Sequence, residues 1–161
     1  MPARGRVELS ERLLRGGDHH LLLVPESAPV PARALICVTV GEPAKEDVLF
    51  AGRLVRHLGA AATILTVLPD RKDSYSVRQA ERFLAAGART LSLLGVAAES
   101  SIRFGMVRQE ILSQLREGEH GLLVLGAPLV GRRGRVILDG LIGGLLEEVN
   151  ERPVLIVRPH Y

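Results

Sequence analysis

Apolar residues fall along this chain in two alternating textures. Four short continuous runs, 34–40 (ALICVTV), 61–68 (AATILTVL), 121–125 (GLLVL) and 154–158 (VLIVR), have the length of strands buried on both faces. Between them, apolar residues recur every three or four positions. This spacing predicts a helix over 44–58, with Val48, Ala51, Leu54, Val55 and Leu58 on one face and Gly59 as its stop. Asp73, Ser74 and Ser76 offer caps for a second helix, whose positions Val77, Ala80, Leu84, Ala88, Leu91 and Leu94 face inward before Gly95 ends it. Gly87 lies inside this helix and costs about 1 kcal/mol relative to alanine. A break there, with TLSLL as a separate element, is the alternative. Residues 99–104 (ESSIRF) read as a weaker strand, 107–117 as a helix with Ile111, Leu112 and Leu115 inward, and 136–150 as mostly helix. The order β-α-β-α-β-α-β-α-β implies a parallel sheet covered on both faces, joined by right-handed crossovers.

The first 33 residues stand outside that count, dividing the chain into an N-terminal extension, 1–33, and an α/β domain, 34–161. The extension holds a helical stretch (VELSERLLRGG), a short apolar run (LLLV) and a linker (PESAPVPA). It also echoes the domain: LLRGGDHHLLLV at 13–24 aligns without a gap on QLREGEHGLLVL at 114–125. Leu14, Arg15, Gly17, His19, Leu21 and Leu22 match Leu115, Arg116, Gly118, His120, Leu122 and Leu123. One reading is the remnant or tail of a preceding copy of the domain. The plainer reading is that many helix–turn–strand units look alike. On the first reading, residues 21–24 add a strand to this sheet or to a partner's.

A length of 161 residues suits one domain with a sizeable core, and 47% hydrophobic residues exclude a disordered chain. Aromatics are 3%, so Leu, Val, Ile and Ala must build that core. No apolar run approaches the roughly 20 residues of a membrane span, so membrane insertion is not expected. The N-terminus lacks the apolar segment of a secretory signal, and Cys37, alone, cannot form an internal disulfide. A cytoplasmic location is the expectation. The net charge is +3, and since Lys45 and Lys72 are the only lysines, nearly all the positive charge is arginine. Arginine suits bidentate contacts with phosphate. Long basic runs and interleaved aromatics are absent, which disfavours nucleic acid as a partner.

The densest chemistry lies in 126–136. Gly126, Gly131 and Gly134 lead into a predicted helix, and Arg132, Arg133 and Arg135 add charge. Glycines let backbone N–H groups approach a phosphate, and a helix start adds partial positive charge. A solvated Gly/Arg turn is the competing reading. Gly126 and Gly131 have the spacing of a P-loop, but Arg132 and Arg133 stand where Lys and Ser/Thr belong, so that match is treated as coincidence. His19, His20, His57, His120 and His160 form no zinc pattern, and no nucleophile elbow is present. Glu46, Asp47, Glu110, Asp139, Glu147 and Glu148 fall on helices and read as surface charge, with Asp139 placed to pair with Arg135. No catalytic constellation emerges, so an enzyme is not expected.

In order and spacing, these segments resemble the universal stress protein family over residues 34–158. The resemblance rests on strand 34–40 with its Gly-Glu-Pro turn, LGAAATILTVLP, IRFGMVRQEIL, LLVLGAP and RPVLIVRP. It implies a doubly wound sheet of five parallel strands in the order 3-2-1-4-5. Its topological switch then lies between 34–40 and 121–125, where such sheets bind ligands. Val40 and Gly41 would form one wall, and Gly126, Gly131, Arg132, Arg133, Gly134 and Arg135 the other. ATP-binding members carry two glycines, then a third followed by Ser/Thr, after the fourth strand. Here Gly131, Gly134 and Gly144 reproduce the spacing, but Leu145 follows. The family's acidic residue at the end of the first strand is matched by Val40. The cofactor expectation is therefore ATP or another nucleotide at an altered, anion-binding crevice. The alternative is a degenerate module without nucleotide binding, acting through dimerisation or a protein partner such as a transporter. The resemblance also implies a homodimer. In the 3-2-1-4-5 order Val154, Leu155, Ile156 and Val157 form an apolar edge strand that a two-fold partner would cover. Residues 1–33 could instead cover it within one chain.

Overall fold

A computed structural model describes residues 3–16, 19–38, 42–126 and 140–158. Helix α1 (Ala3–Arg15) and strand β1 (Leu21–Leu23) precede a strictly alternating series. That series is β2 (Arg33–Cys37), α2 (Glu42–Leu58), β3 (Ala61–Leu68), α3 (Ser74–Leu93), β4 (Ala98–Phe104), α4 (Val107–Glu117), β5 (Leu122–Gly126), α5 (Gly140–Glu148) and β6 (Val154–Val157). The six strands form one sheet in the order β1-β6-β5-β2-β3-β4. All neighbours are parallel except β1 and β6. Counted from β2, the five parallel strands follow the expected 3-2-1-4-5 order.

Each face of the sheet takes one set of alternate side chains. Ala34, Ile36, Ile64, Leu122, Val124, Leu155 and Val157 pack under α2 and α3. Leu35, Leu65, Leu123, Leu125, Val154 and Ile156 pack with α4 and α5, and Leu14 of α1 joins them. Complete burial of a leucine contributes about 1.5–3 kcal/mol, so a nearly aliphatic core suffices despite the scarcity of aromatics.

Local signals explain the element ends. Asp73 caps α3, accepting the Ser76 backbone N–H at 3.1 Å and the Ser76 hydroxyl at 2.7 Å. Gly59 and Gly95 follow α2 and α3 with φ of 66° and 83°, conformations that favour glycine. α3 runs unbroken through Gly87, so the break at that glycine is not realised. The expected weak strand is firm: β4 pairs with β3 at seven positions from Ala98 to Phe104. There Arg103 reaches Glu110 at 3.5 Å and Glu117 at 3.0 Å on α4, tying the outer strand to its helix.

The five expected parallel strands are joined by a sixth, β1. Of the two readings of Val154, Leu155, Ile156 and Val157, the one in which residues 1–33 cover them within one chain is realised. β1 pairs antiparallel with them, Leu21 opposite Ile156, Leu22 opposite Leu155 and Leu23 opposite Val154. The N-terminal extension thus occupies the backbone through which a two-fold partner was expected to pair. Its hold is specific: Arg6 Nη1 donates to Val149 O at 3.2 Å, and Arg158 Nη1 to Leu14 O at 2.6 Å.

Candidate functional site

The chain leaves β2 toward β3 and β4 on one side, and returns through β5 and β6 on the other. Ligands of open α/β sheets bind at such a reversal, in the crevice beyond the carboxyl ends of the two strands, here β2 and β5. The Thr66 hydroxyl donates to Val38 O at 2.6 Å, and Val38 N–H donates to Leu65 O at 2.9 Å, so the last described residue of this wall is clamped to β3. Gly126, the final residue of β5, forms the opposite wall. Val40, Gly41, Gly131, Arg132, Arg133, Gly134 and Arg135 lie outside the described residues, as do Asp139 and its expected partner Arg135.

The side chain that faces Gly126 is Asp47. It sits early in α2 and is only 8% exposed. Helix side chains tilt toward the N-terminus, which here points to the carboxyl ends of the strands. The Asp47 carboxyl therefore rises toward the crevice and lies against Gly126, where an added Cβ would collide with its Oδ2. Among the described residues its Oδ1 is buried without a hydrogen-bond partner. Burial, helped by the neighbouring Glu46 charge, pushes its pKa up to about 7. Such a carboxyl can donate a hydrogen bond when protonated and accept one when ionised. Reading Asp47 as surface charge was therefore wrong. A signal was present: Asp47 precedes Ala51, Leu54, Val55 and Leu58 by 4, 7, 8 and 11 positions, placing it on the apolar stripe of α2. Glu46, Glu147 and Glu148 are exposed, and Glu110 pairs with Arg103.

Other chemistry-bearing groups lie away from this crevice. His20 Nδ1 accepts the Arg158 backbone N–H at 2.9 Å, and its ring rests 3.6 Å from that of Phe50. His120, 1% exposed, enters β5 from the opposite end of the sheet, and neither ring nitrogen has a partner among the described residues. Burial, followed by the charges of Arg33 and Arg152, lowers its pKa to about 4. A cavity of about 230 Å³ between α4 and the end of α5 is lined by Leu115, Arg116, Glu148 and Arg152, remote from Gly126. The Cys37 thiol is pushed up to about 12 by burial, as befits an inert packing group. Among the described residues, no three His, Cys, Asp or Glu gather as metal ligands, and no helix is long and apolar enough to cross a membrane.

The sequence matches no protein-family model and no curated protein. Solved structures are more informative. A universal stress protein from Archaeoglobus fulgidus superposes with a TM-score of 0.66 at 14% identity, over 80% of this chain and 93% of that one. The chain has the fold of the universal stress proteins. A second universal stress protein from the same organism gives a TM-score of 0.71 at 16% identity. It covers 99% of this chain, which spans only 57% of that longer protein. A third universal stress protein structure from Archaeoglobus fulgidus, in complex with dAMP, gives 0.61 at 15% identity over 87% of this chain and all of that one. That fold agrees with the mostly parallel, helix-covered sheet of this chain.

Proposed function

We propose that this protein is a non-catalytic regulatory domain of the universal stress type that binds a nucleotide, or another phosphate-bearing ligand, in the crevice between β2 and β5. The observation that carries this reading is Asp47, a buried carboxyl against the end of β5, one of whose oxygens has no hydrogen-bond partner among the described residues. A buried polar atom without a partner is costly and concentrates at functional sites. In this reading Asp47 takes a hydrogen bond from a hydroxyl or amino group of the nucleoside. It supplies a polar contact that Val40 cannot. Arg132, Arg133 and Arg135 take the phosphate in place of a loop hydroxyl, with Gly126 allowing close approach. The dAMP bound by a protein of the same fold supports the choice of ligand class.

Calorimetry with AMP, ADP, ATP and cyclic dinucleotides tests the reading. Saturable binding is expected, weakened at least tenfold by Asp47→Asn and by Arg132→Ala combined with Arg133→Ala. Absence of saturable binding at millimolar ligand, by folded protein, would overturn it. The missing hydroxyl after Gly144 favours a second reading, in which the crevice is empty of nucleotide and the domain acts through protein contacts. That negative result would be its first support.

A further inference from the structure

Helix α3 carries two rows of side chains. The inner row holds Ala80, Leu84 and Leu91, all buried. The outer row recurs at the same steps of three and four: Tyr75, Arg78, Arg82, Ala86, Arg89 and Leu93. All six of these residues are exposed. At a rise of about 1.5 Å per residue the outer row is about 27 Å long. No acid stands on it, and Glu81, the sole acid within α3, falls outside the row. The neighbouring α2 extends this face. Its Gly52 lies against Leu91 and Leu94, where an added Cβ would collide with both leucines. Arg53 and Arg56, exposed on α2, therefore stand beside the Leu93 end.

On the opposite helix layer, arginines are engaged within the protein. Arg103 holds Glu110 and Glu117, and Arg108 holds Glu148. Among the described residues, Arg53, Arg56, Arg78, Arg82 and Arg89 form no ion pair. The two ends of the outer row are apolar and open to solvent. Tyr75 is 65% exposed and Leu93 84%, the highest value of any large apolar side chain described. A single exposed leucine is ordinary, but this one continues a row of unpaired arginines. Such a row suits a surface that offers anions and hydrocarbon together. Protein partners seat their anchors in pockets, and the cavity described above lies on the opposite layer, between α4 and α5. Single-stranded nucleic acids stack on several rings, and this row has one. A bilayer requires neither.

We propose that the outer face of α3, with the adjoining side of α2, rests on an anionic lipid surface. The five arginines meet the headgroup phosphates and carboxylates, and arginine suits both because its guanidinium makes bidentate contacts. Leu93 and Tyr75 enter the interfacial layer at the two ends of the row. The contact is peripheral, because α3 stays packed on the sheet through its inner row. The inference uses only α2 and α3 and does not depend on the ligand reading.

The test uses the full chain and phosphatidylcholine vesicles, either pure or with phosphatidylserine as about one lipid in three. The sequence has no tryptophan, so Leu93→Trp supplies a single reporter at the end of the row. Anionic vesicles should shift its emission to the blue and shield it from aqueous iodide, and pure phosphatidylcholine should do neither. In flotation assays each arginine removed should weaken binding roughly fivefold. Arg78→Gln, Arg82→Gln and Arg89→Gln together should therefore weaken it about a hundredfold. Raised salt should release the parent protein. Arg12→Gln, Arg116→Gln and Arg152→Gln remove the same charge from outside this face and should leave binding nearly unchanged. Thermal unfolding checks that both triple variants keep the fold, as surface substitutions ordinarily do. Absence of binding to anionic vesicles, equal losses in the two triple variants, or a tryptophan that stays in water on bound protein would each overturn the proposal. Tighter binding to polyglutamate or to single-stranded RNA than to the anionic vesicles would also overturn it, in favour of a protein or nucleic-acid partner.

Discussion

Asp47 and Gly126 occupy one volume. The carboxyl lies where a side chain at position 126 would begin, so each residue sets the limit for the other. Gly126→Ala should therefore destabilise the fold by about 1–3 kcal/mol, the usual cost of overpacking. Asp47→Ala removes the obstructing atoms, and the double variant should recover most of the loss. Denaturant titration of the two single variants and the double variant checks this. A coupling of about 1 kcal/mol or more is expected for residues in contact, and additive effects would contradict the packing. This scale is also where the sequence was hardest to read. Gly126 was legible as a loop glycine because it closes an apolar run. Asp47 was not, because a carboxylate on a helix is ordinarily solvated and its burial depends on a strand 79 positions away. Its place on the apolar stripe was the available sign, but periodicity alone does not tell a buried acid from one at the margin of the stripe.

Among the elements, α3 shows how a local rule yields to packing. Gly87 weakens an isolated helix, yet the helix continues through it. A Cβ there would lie 3.0 Å from Ile64 Cδ1 and 3.8 Å from Val48 Cγ1, so the glycine lets α3 seat closely on β3 and α2. Gly87→Leu should cost about 1–3 kcal/mol despite its better helix propensity. At about 2–4 °C per kcal/mol for a chain of this size, thermal unfolding should fall by several degrees. An unchanged or raised midpoint would show that propensity governs this position. Most elements were readable because parallel strands are apolar throughout and their crossover helices keep a regular stripe. The strand β4 read weakly because its AESSIRF side chains are mostly not fully buried, while its hydrogen bonds to β3 leave no mark in side-chain chemistry. The position of β1 was left open for a related reason. Three leucines announce a strand, but nothing within them specifies which edge they join.

At the scale of the whole molecule, two buried titrating groups at opposite ends of the sheet act against each other. His120 has a folded pKa of about 4 against an ordinary 6.5, so between these values the unfolded chain binds more protons than the folded one. Its contribution is fully favourable above pH 6.5. It declines as pH falls, by about 3 kcal/mol at pH 4. Asp47 has a folded pKa of about 7 against 3.8, so in its window the folded chain binds more protons. Its contribution is complete below pH 3.8 and is lost as pH rises through 7, by about 4 kcal/mol. Between pH 4 and 6.5 the two slopes oppose and nearly cancel, leaving the stability of the unaltered chain flat with respect to these groups. Substitution separates them. Asp47→Asn should show stability rising with pH across 4 to 6.5, the His120 slope alone. His120→Leu should show stability falling from pH 4 to 7, the Asp47 slope alone. Urea unfolding at half-unit pH steps, for both variants and the parent, resolves these profiles. Parallel curves for all three would mean that neither group is buried as the structure places it. Curves that separate with the opposite signs would mean that a nearby charge, rather than burial, sets the protonation of each.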